Sequence, residues 1–240
     1  MPLHRRAFCL TVILAIAALQ VQARDAALCG AEVKLQLAPA GLTAAVAALA
    51  GKETERTIVL YDTPHADLLK AGVILRYREG KKKADFTAKL RPYEGKPIAK
   101  PGSSGHFKCE TDVSVDGPHP SYSVRTKVDR RAPRDGTELR DRLAKSQTTL
   151  LRSAPIEIAW DQLIAWPLVA STEWKAHADG MHLSLEQWRW AGHTVLELST
   201  KVSSQTEVAP AMASLQRWAK RHGLQITTGA SKVSAVLGSE

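Results

Sequence analysis

Charged and apolar residues alternate in short blocks along much of this chain. Side chains two apart on a strand share a face, so the alternation predicts strands with one charged and one apolar side. The clearest block is 75–91, LRYREGKKKADFTAKLR. Arg76 and Arg78 share a face, with Leu75 and Tyr77 opposite; past a basic turn, Thr87, Lys89 and Arg91 share a face against Phe86, Ala88 and Leu90. Pairing the two strands puts four cations on one side of a hairpin. Such a face has two readings. It is the solvated side of a half-buried sheet, or it lines a groove or wide barrel whose arginine forks suit phosphate oxygens.

The same arithmetic predicts strands over 32–37, 56–61, 107–115, 168–176, 181–190 and 193–202, the last two a hairpin around Ala191-Gly192. On 107–115, Lys108, Glu110 and Asp112 share a face. On 193–202, Val195, Glu197, Ser199 and Lys201 do. Helices are expected over 38–50, which carries Pro39 near its start and stops at Gly51, over 137–153, and over 207–222, which ends in Lys-Arg-His before Gly223. A short helical turn fits 65–71, a loop the proline- and glycine-rich 92–105, and a turn 116–120. The charge-dense 125–142 reads as a solvated face. The six tryptophans fit packing between helices and strands. About eight strands with helices between them show no βαβ rhythm. Several strands repeating one parity point to a closed barrel with a polar lumen and helices outside.

The amino terminus changes the picture of where the protein works. His4, Arg5 and Arg6 precede an apolar run over 7–19, and Val21-Gln22-Ala23 offers a small-residue cleavage site. This pattern predicts a signal peptide over 1–23 and one domain over 24–240, periplasmic or secreted. An uncleaved amino-terminal anchor is the alternative. No later stretch is long and apolar enough to span a membrane. The 240-residue chain has 33 Lys+Arg against 24 Asp+Glu, and losing 1–23 removes two arginines and no acid, which leaves a charge of +7. Anionic lipid, polysaccharide or phosphate polymers are suitable partners; a specific nucleic acid is not expected outside the cytoplasm. Of three cysteines, Cys9 leaves with the signal, and Cys29 and Cys109 remain. Both are out of phase with the charged residues of their strands. A disulfide is compatible with that if the strands are neighbours.

The inward candidates are the cations Lys34, Arg76, Arg78, Lys89, Arg91, Lys108, Lys175 and Lys201, and the acids Glu32, Glu110, Asp112, Glu186 and Glu197. Either they pair with one another, or the cations hold phosphates while the acids hold Mg²⁺ or Mn²⁺, hard ions that prefer carboxylate oxygen. Neither a P-loop nor a local Ser–His–acid signature is present.

In order along the chain, these residues resemble the motifs of the CYTH domain, or triphosphate tunnel metalloenzyme, and its inorganic triphosphatases in particular. Glu32-Val33-Lys34 stands in the family's opening Glu-x-Glu-x-Lys. Tyr61-Asp62-Thr63-Pro64, Leu75-Arg76-Tyr77-Arg78, Thr87-Ala88-Lys89 and Lys108-Cys109-Glu110-Thr111-Asp112 follow the family's order. Leu196-Glu197-Leu198-Ser199 is similar to its late acidic strand, and Ser231-Lys232 to its terminal Ser-Lys. Gly30 and Ser199 stand where the family carries further glutamates. The resemblance implies an α+β fold with an eight-stranded antiparallel closed barrel, a linear triphosphate-bearing ligand and one divalent ion. It implies catalytic roles for Glu32, Lys34 and Lys89, and phosphate binding by Arg76, Arg78, Lys89, Arg91, Lys108, Lys175 and Lys232. Metal ligation falls to Glu32, Glu110, Asp112 and Glu197. The expected function is binding, and hydrolysis, of inorganic tripolyphosphate or another triphosphate. The alternatives are a catalytically weak module that captures polyphosphate or another polyanion, and a scaffold whose lumen charges only pair with each other.

Overall fold

The computed structural model describes residues 29–238; the expected signal peptide lies outside the described residues. Eleven strands run as β1 (Gly30–Leu37), β2 (Lys52–Asp62), β3 (Val73–Gly80), β4 (Ala84–Leu90), β5 (His106–Ser114), β6 (Gly117–Val128), β7 (Ile164–Ala165), β8 (Val169–Ala178), β9 (Met181–Trp190), β10 (His193–Val202) and β11 (Ile226–Thr227). Among the described residues six α-helices accompany them: α1 (Leu42–Leu49), α2 (Asp67–Lys70), α3 (Gly136–Asp141), α4 (Lys145–Leu151), α5 (Val208–Arg221) and α6 (Lys232–Leu237).

Neighbouring strands follow the order β10-β9-β8-β2-β3-β4-β6-β5-β1, and β1 pairs with β10 to close the ring; β7 and β11 pair with β2 and β1 outside it. The barrel therefore has nine strands, not eight. It is also mixed: β1 and β5 run parallel, from Gly30 opposite Glu110 to Val33 opposite Val113. The extra strand is β6, which starts at Gly117 where the sequence suggested a turn over 116–120. It pairs β5 on one side and β4 on the other.

Two hairpins are set by tight turns. Asp179 and Gly180 join β8 to β9, and Ala191 and Gly192 join β9 to β10, all four with positive φ. Two-residue turns of this kind match the twist of the strands they join. The expected helix over 137–153 divides into α3 and α4. Asp135 caps the first, its side chain accepting from the Glu138 N–H.

Three apolar clusters hold the barrel. Outside, α1 and α5 cover β1, β8, β9 and β10, with Leu215 and Trp218 against Leu35, Leu185 and Leu198. The buried positions of α5 are Ala211, Leu215, Trp218 and Ala219, one helical stripe. On the other flank Leu68, Leu139, Leu150 and Leu151 cover Tyr61, Leu75, Tyr77 and Phe86.

The third cluster is inside. Ile58, Leu60, Ile74, Val169, Trp188 and Trp190 lie on lumen-facing positions and meet Val233, Val236 and Leu237 of α6. Helices thus do not all pack outside, since the last one plugs one end of the barrel. The lumen is also not polar throughout. Along β2 the inward positions change from Arg56 to Ile58 and Leu60. On β3 they change from Arg78 and Arg76 to Ile74, and on β9 from Glu186 to Trp188 and Trp190. Hydrocarbon fills the plugged end and charge the open one. Among the described residues no helix is long and apolar enough to cross a membrane.

Candidate functional site in the barrel lumen

The open end is a cavity of about 370 Å³ whose walls carry eleven Lys and Arg side chains and five glutamates. Every cation expected inward from the sequence lines it: Lys34, Arg76, Arg78, Lys89, Arg91, Lys108, Lys175 and Lys201, with Lys232 reaching in from α6. So do Glu32, Glu110, Glu186 and Glu197. Asp112 sits between this cavity and a second one of about 350 Å³ beside α6, which it lines together with Lys34, Arg91, Glu197 and Ser231. Lys175 and Lys201 are mostly exposed at the rim.

Sequence reasoning missed Arg56, Arg125 and Glu173, which also line the cavity. Arg56 opens the 56–61 run, and its partners in phase, Ile58 and Leu60, are apolar, so the face carried no charge pattern. Arg125 was absorbed into the charge-dense 125–142. It stands opposite Thr87 across the β4–β6 pair, and that register places it on the lumen side.

The wall made by β1, β5 and β10 is tightly paired. Asp112, almost fully buried, receives Lys34 at 2.7 Å, Lys89 at 2.6 Å and Arg91 at 3.5 Å. Lys34 also reaches Glu32 at 3.3 Å. Glu110 pairs with Lys108 and lies 3.9 Å from Lys201. Ser199 donates to Glu32 at 3.3 Å. Burial opposes the charge on Glu32, but Lys34 and then Lys201 outweigh it and bring the carboxyl down to about 2. Burial likewise opposes the charge on Asp112, and Lys89, Lys34 and Arg91 overcome it, holding that carboxyl well below the usual range. Lys89 goes the other way: burial lowers it to about 8, only partly offset by Asp112.

Next to the plug, Lys232 pairs with Glu186, and with Glu197 at 2.8 Å, above the face of Trp188 at 5.3 Å. Ser171 and the Trp188 indole N–H both donate to Glu186 at 2.9 Å. Arg91 donates to Ser231 at 2.9 Å, just before α6.

The β3–β4–β6 wall is different. Arg78 pairs with Asp85 at 2.9 Å. The Nε of Arg76 is shut off from solvent and has no hydrogen-bond partner. Burial, and after it the neighbouring Arg78, lower Arg76 to about 10. A shielded guanidinium donor without an acceptor is costly, and an anion is one group that would satisfy it.

Glu32, Glu110 and Asp112 each offer an oxygen within 4.8 Å of the others. All three are hard carboxylate donors, so the set could hold a divalent ion. Glu197, expected in the same group, pairs with Lys232 at 2.8 Å and is not one of these three. Cys29 and Cys109 form a disulfide with Cα atoms 5.2 Å apart, at the open end of the β1–β5 seam.

No protein-family model matches the chain, and no curated protein sequence does. Solved structures do match its fold. One is HpAC1 from Hippeastrum, provisionally named an adenylyl cyclase and described as having a dominant triphosphatase activity. It matches with a TM-score of 0.61 and 15% identity over 87% of this chain and 95% of that one. A second, from Bacillus halodurans and provisionally named an adenylate cyclase, matches with a TM-score of 0.59 and 13% identity over 87% and 97% of the two chains. At such identities the likeness is one of fold: this chain shares the fold of those two proteins.

Proposed function

We propose that the protein binds a linear triphosphate, inorganic tripolyphosphate foremost, in the open half of the lumen and hydrolyses it with a divalent ion. The observation that carries this reading is Arg76, a shielded donor without an acceptor in a cavity where cations outnumber carboxylates. The activity described for the Hippeastrum protein of the same fold supports it. The inorganic ligand is favoured over a nucleotide because Lys232 already covers the Trp188 ring in the lumen wall.

In this reading Arg76, Arg78 and Arg125 grip the phosphate oxygens from one wall, and Lys89 and Arg91 from the floor. Glu32, Glu110 and Asp112 hold the ion. A bound divalent ion supplies neutralisation of phosphoryl charge and a more acidic water. The side chains hold the chain in line, which is most of what phosphoryl transfer requires of a protein. Lys89, lowered to about 8, stays protonated at neutral pH and close to giving its proton up, a suitable donor to a departing phosphate oxygen.

A second reading, capture of polyphosphate with little turnover, is favoured by one observation. Each carboxylate of the acidic group already holds a lysine, and Gly30 and Ser199 add no acid. One experiment separates the two: a melting series with tripolyphosphate, pyrophosphate and ATP, with and without Mg²⁺ or Mn²⁺, beside a phosphate-release assay. Stabilisation by tripolyphosphate together with metal-dependent release supports the enzyme. Stabilisation alone supports capture. No stabilisation by any phosphate at low salt overturns both.

The protein is further proposed to be exported. The signal-like residues 1–23 and the Cys29–Cys109 disulfide support this. Mass spectrometry of the native protein should find Arg24 as the first residue; an intact Met1 chain in the cytoplasmic fraction would refute export.

A further inference from the structure

We infer that the Cys29–Cys109 disulfide positions the acidic group, so that divalent-ion affinity depends on the redox state of this one bond. The inference rests on the reading of Glu32, Glu110 and Asp112 as the metal-holding residues.

Its basis is where the barrel closes. The β1–β5 seam is the parallel pairing of the ring, and it is short, running only from Gly30 opposite Glu110 to Val33 opposite Val113. Each strand is held far more extensively on its other side. β1 pairs with β10 from Ala31 to Leu37, and β5 with β6 from His106 to Ser114. The seam is thus the place where the ring opens most easily. The acidic group straddles it. Glu32 belongs to β1, Glu110 and Asp112 to β5, and Glu32 stands directly opposite Asp112 in the register. Beyond the backbone pairing, Lys34 of β1 bridges the seam to Asp112. A divalent ion gathering all three carboxylates competes with this lysine and with Lys108 on Glu110. Cys29 immediately precedes β1 and Cys109 immediately precedes Glu110, so the disulfide staples the seam at the residues next to the ligands. Outside the lumen, it fixes the separation of the two halves without touching an ion.

A dithiol breaks the S–S bond by transferring two electrons and two protons. Two cysteine thiols form, and the dithiol is oxidised to its own disulfide. The two strands then keep their partners β10 and β6 but lose the covalent tie, and the distance between Glu32 and the β5 acids is no longer fixed. Cys29 and Cys109 are positioning residues in this account. Supports behind metal ligands commonly change affinity by about 10- to 100-fold.

The test uses the full chain in three forms: oxidised, reduced with dithiothreitol, and the Cys29→Ser/Cys109→Ser variant. Mn²⁺ binding is measured by titration calorimetry, and hydrogen exchange over 30–33, 110–113 and, as reference, 181–202. The expected result is at least tenfold weaker Mn²⁺ binding in the reduced and serine forms. Exchange should be faster at the seam and unchanged in the β9–β10 hairpin. Equal affinity in all three forms overturns the inference. So does loss of the far-UV signal on reduction, because the bond would then serve the whole fold. If the oxidised protein takes up no Mn²⁺ while seam exchange still quickens on reduction, the metal reading fails and the inferred redox-dependent affinity fails with it, although the seam is shown to be stapled.

Discussion

The two walls of the open lumen carry similar residues and treat their charge differently. On the β1–β5–β10 wall, Asp112 gathers Lys34, Lys89 and Arg91, and Glu110 takes Lys108. On the β3–β4–β6 wall, Arg76 has a shielded donor with nothing to accept it. The acids of the first wall are thus neutralised within the protein, partly by Lys89 and Arg91 of the second, and Arg78 of the second pairs with Asp85, while Arg76 keeps a donor without an acceptor. In the proposed reading an incoming anion meets Arg76 first, and a divalent ion then competes with the ammonium groups on the first wall, which would make anion binding the robust property and metal binding the adjustable one.

The comparison breaks most visibly at Asp112. Replacing it by alanine removes the acceptor that three cations share in an enclosed space, and removing one partner of a buried ionic cluster costs about 3–5 kcal/mol. Urea denaturation of Asp112→Ala should show a loss of that size; a loss under ~1 kcal/mol would mean the wall is not held as described. Next comes Arg76→Ala, which should leave stability nearly unchanged and weaken tripolyphosphate binding by about 10- to 100-fold, since hydrogen bonds to charged groups contribute about 1.5–3 kcal/mol. Replacing the exposed Arg130, which pairs with Glu79, by alanine is the control and should leave binding normal.

Acid provides a third probe. Burial opposes the charge of Glu186, and Lys232 overcomes it, so the folded carboxyl titrates below its unfolded value of about 4.3. Its contribution is present above the unfolded pKa and is lost as pH falls through the lower, folded one. The wild-type melting temperature should therefore fall below about pH 4, and Glu186→Gln should flatten that fall. Parallel curves would remove Glu186 as a cause. The smallest effect is expected from Ser199→Glu, which adds an acid at a position whose hydroxyl now donates to Glu32 at 3.3 Å. A few-fold gain in Mn²⁺ affinity, with a slightly lower melting temperature without metal, would show the first wall to be short of carboxylates. Position 30 is less suited to the same experiment, because a Cβ there stands 3.0 Å from the Val202 carbonyl oxygen.

Parity made most of the site readable from sequence. Strand side chains alternate whatever the barrel does later, so Arg76, Arg78, Lys89 and Glu110 could be placed on one side before any pairing was known. Partners were not readable in the same way. Nothing in 30–37 or 106–114 marks a parallel pairing, because it joins segments far apart in the chain and leaves no local signature. Arg56 was hidden because its strand passes from charge to hydrocarbon, and Arg125 because a charge-rich stretch looks solvated unless the strand beneath it is recognised. The last helix, KVSAVL, is apolar enough to pack anywhere; only its register with Ile58, Ile74 and Trp188 shows that it enters the barrel.

In the proposed reading, that crossover from charge to hydrocarbon would act as a built-in depth gauge. A phosphate chain entering the lumen would find donors as far as Arg76 and Lys232, and then Ile74, Trp188 and Val233, which cannot replace its hydration. It would stop there without a dedicated gate. The protein would thus set the length of chain it holds by where its strands change chemistry, and moving that boundary by one inward-facing residue should move the stop by two residues' rise along a strand, about 6.6 Å.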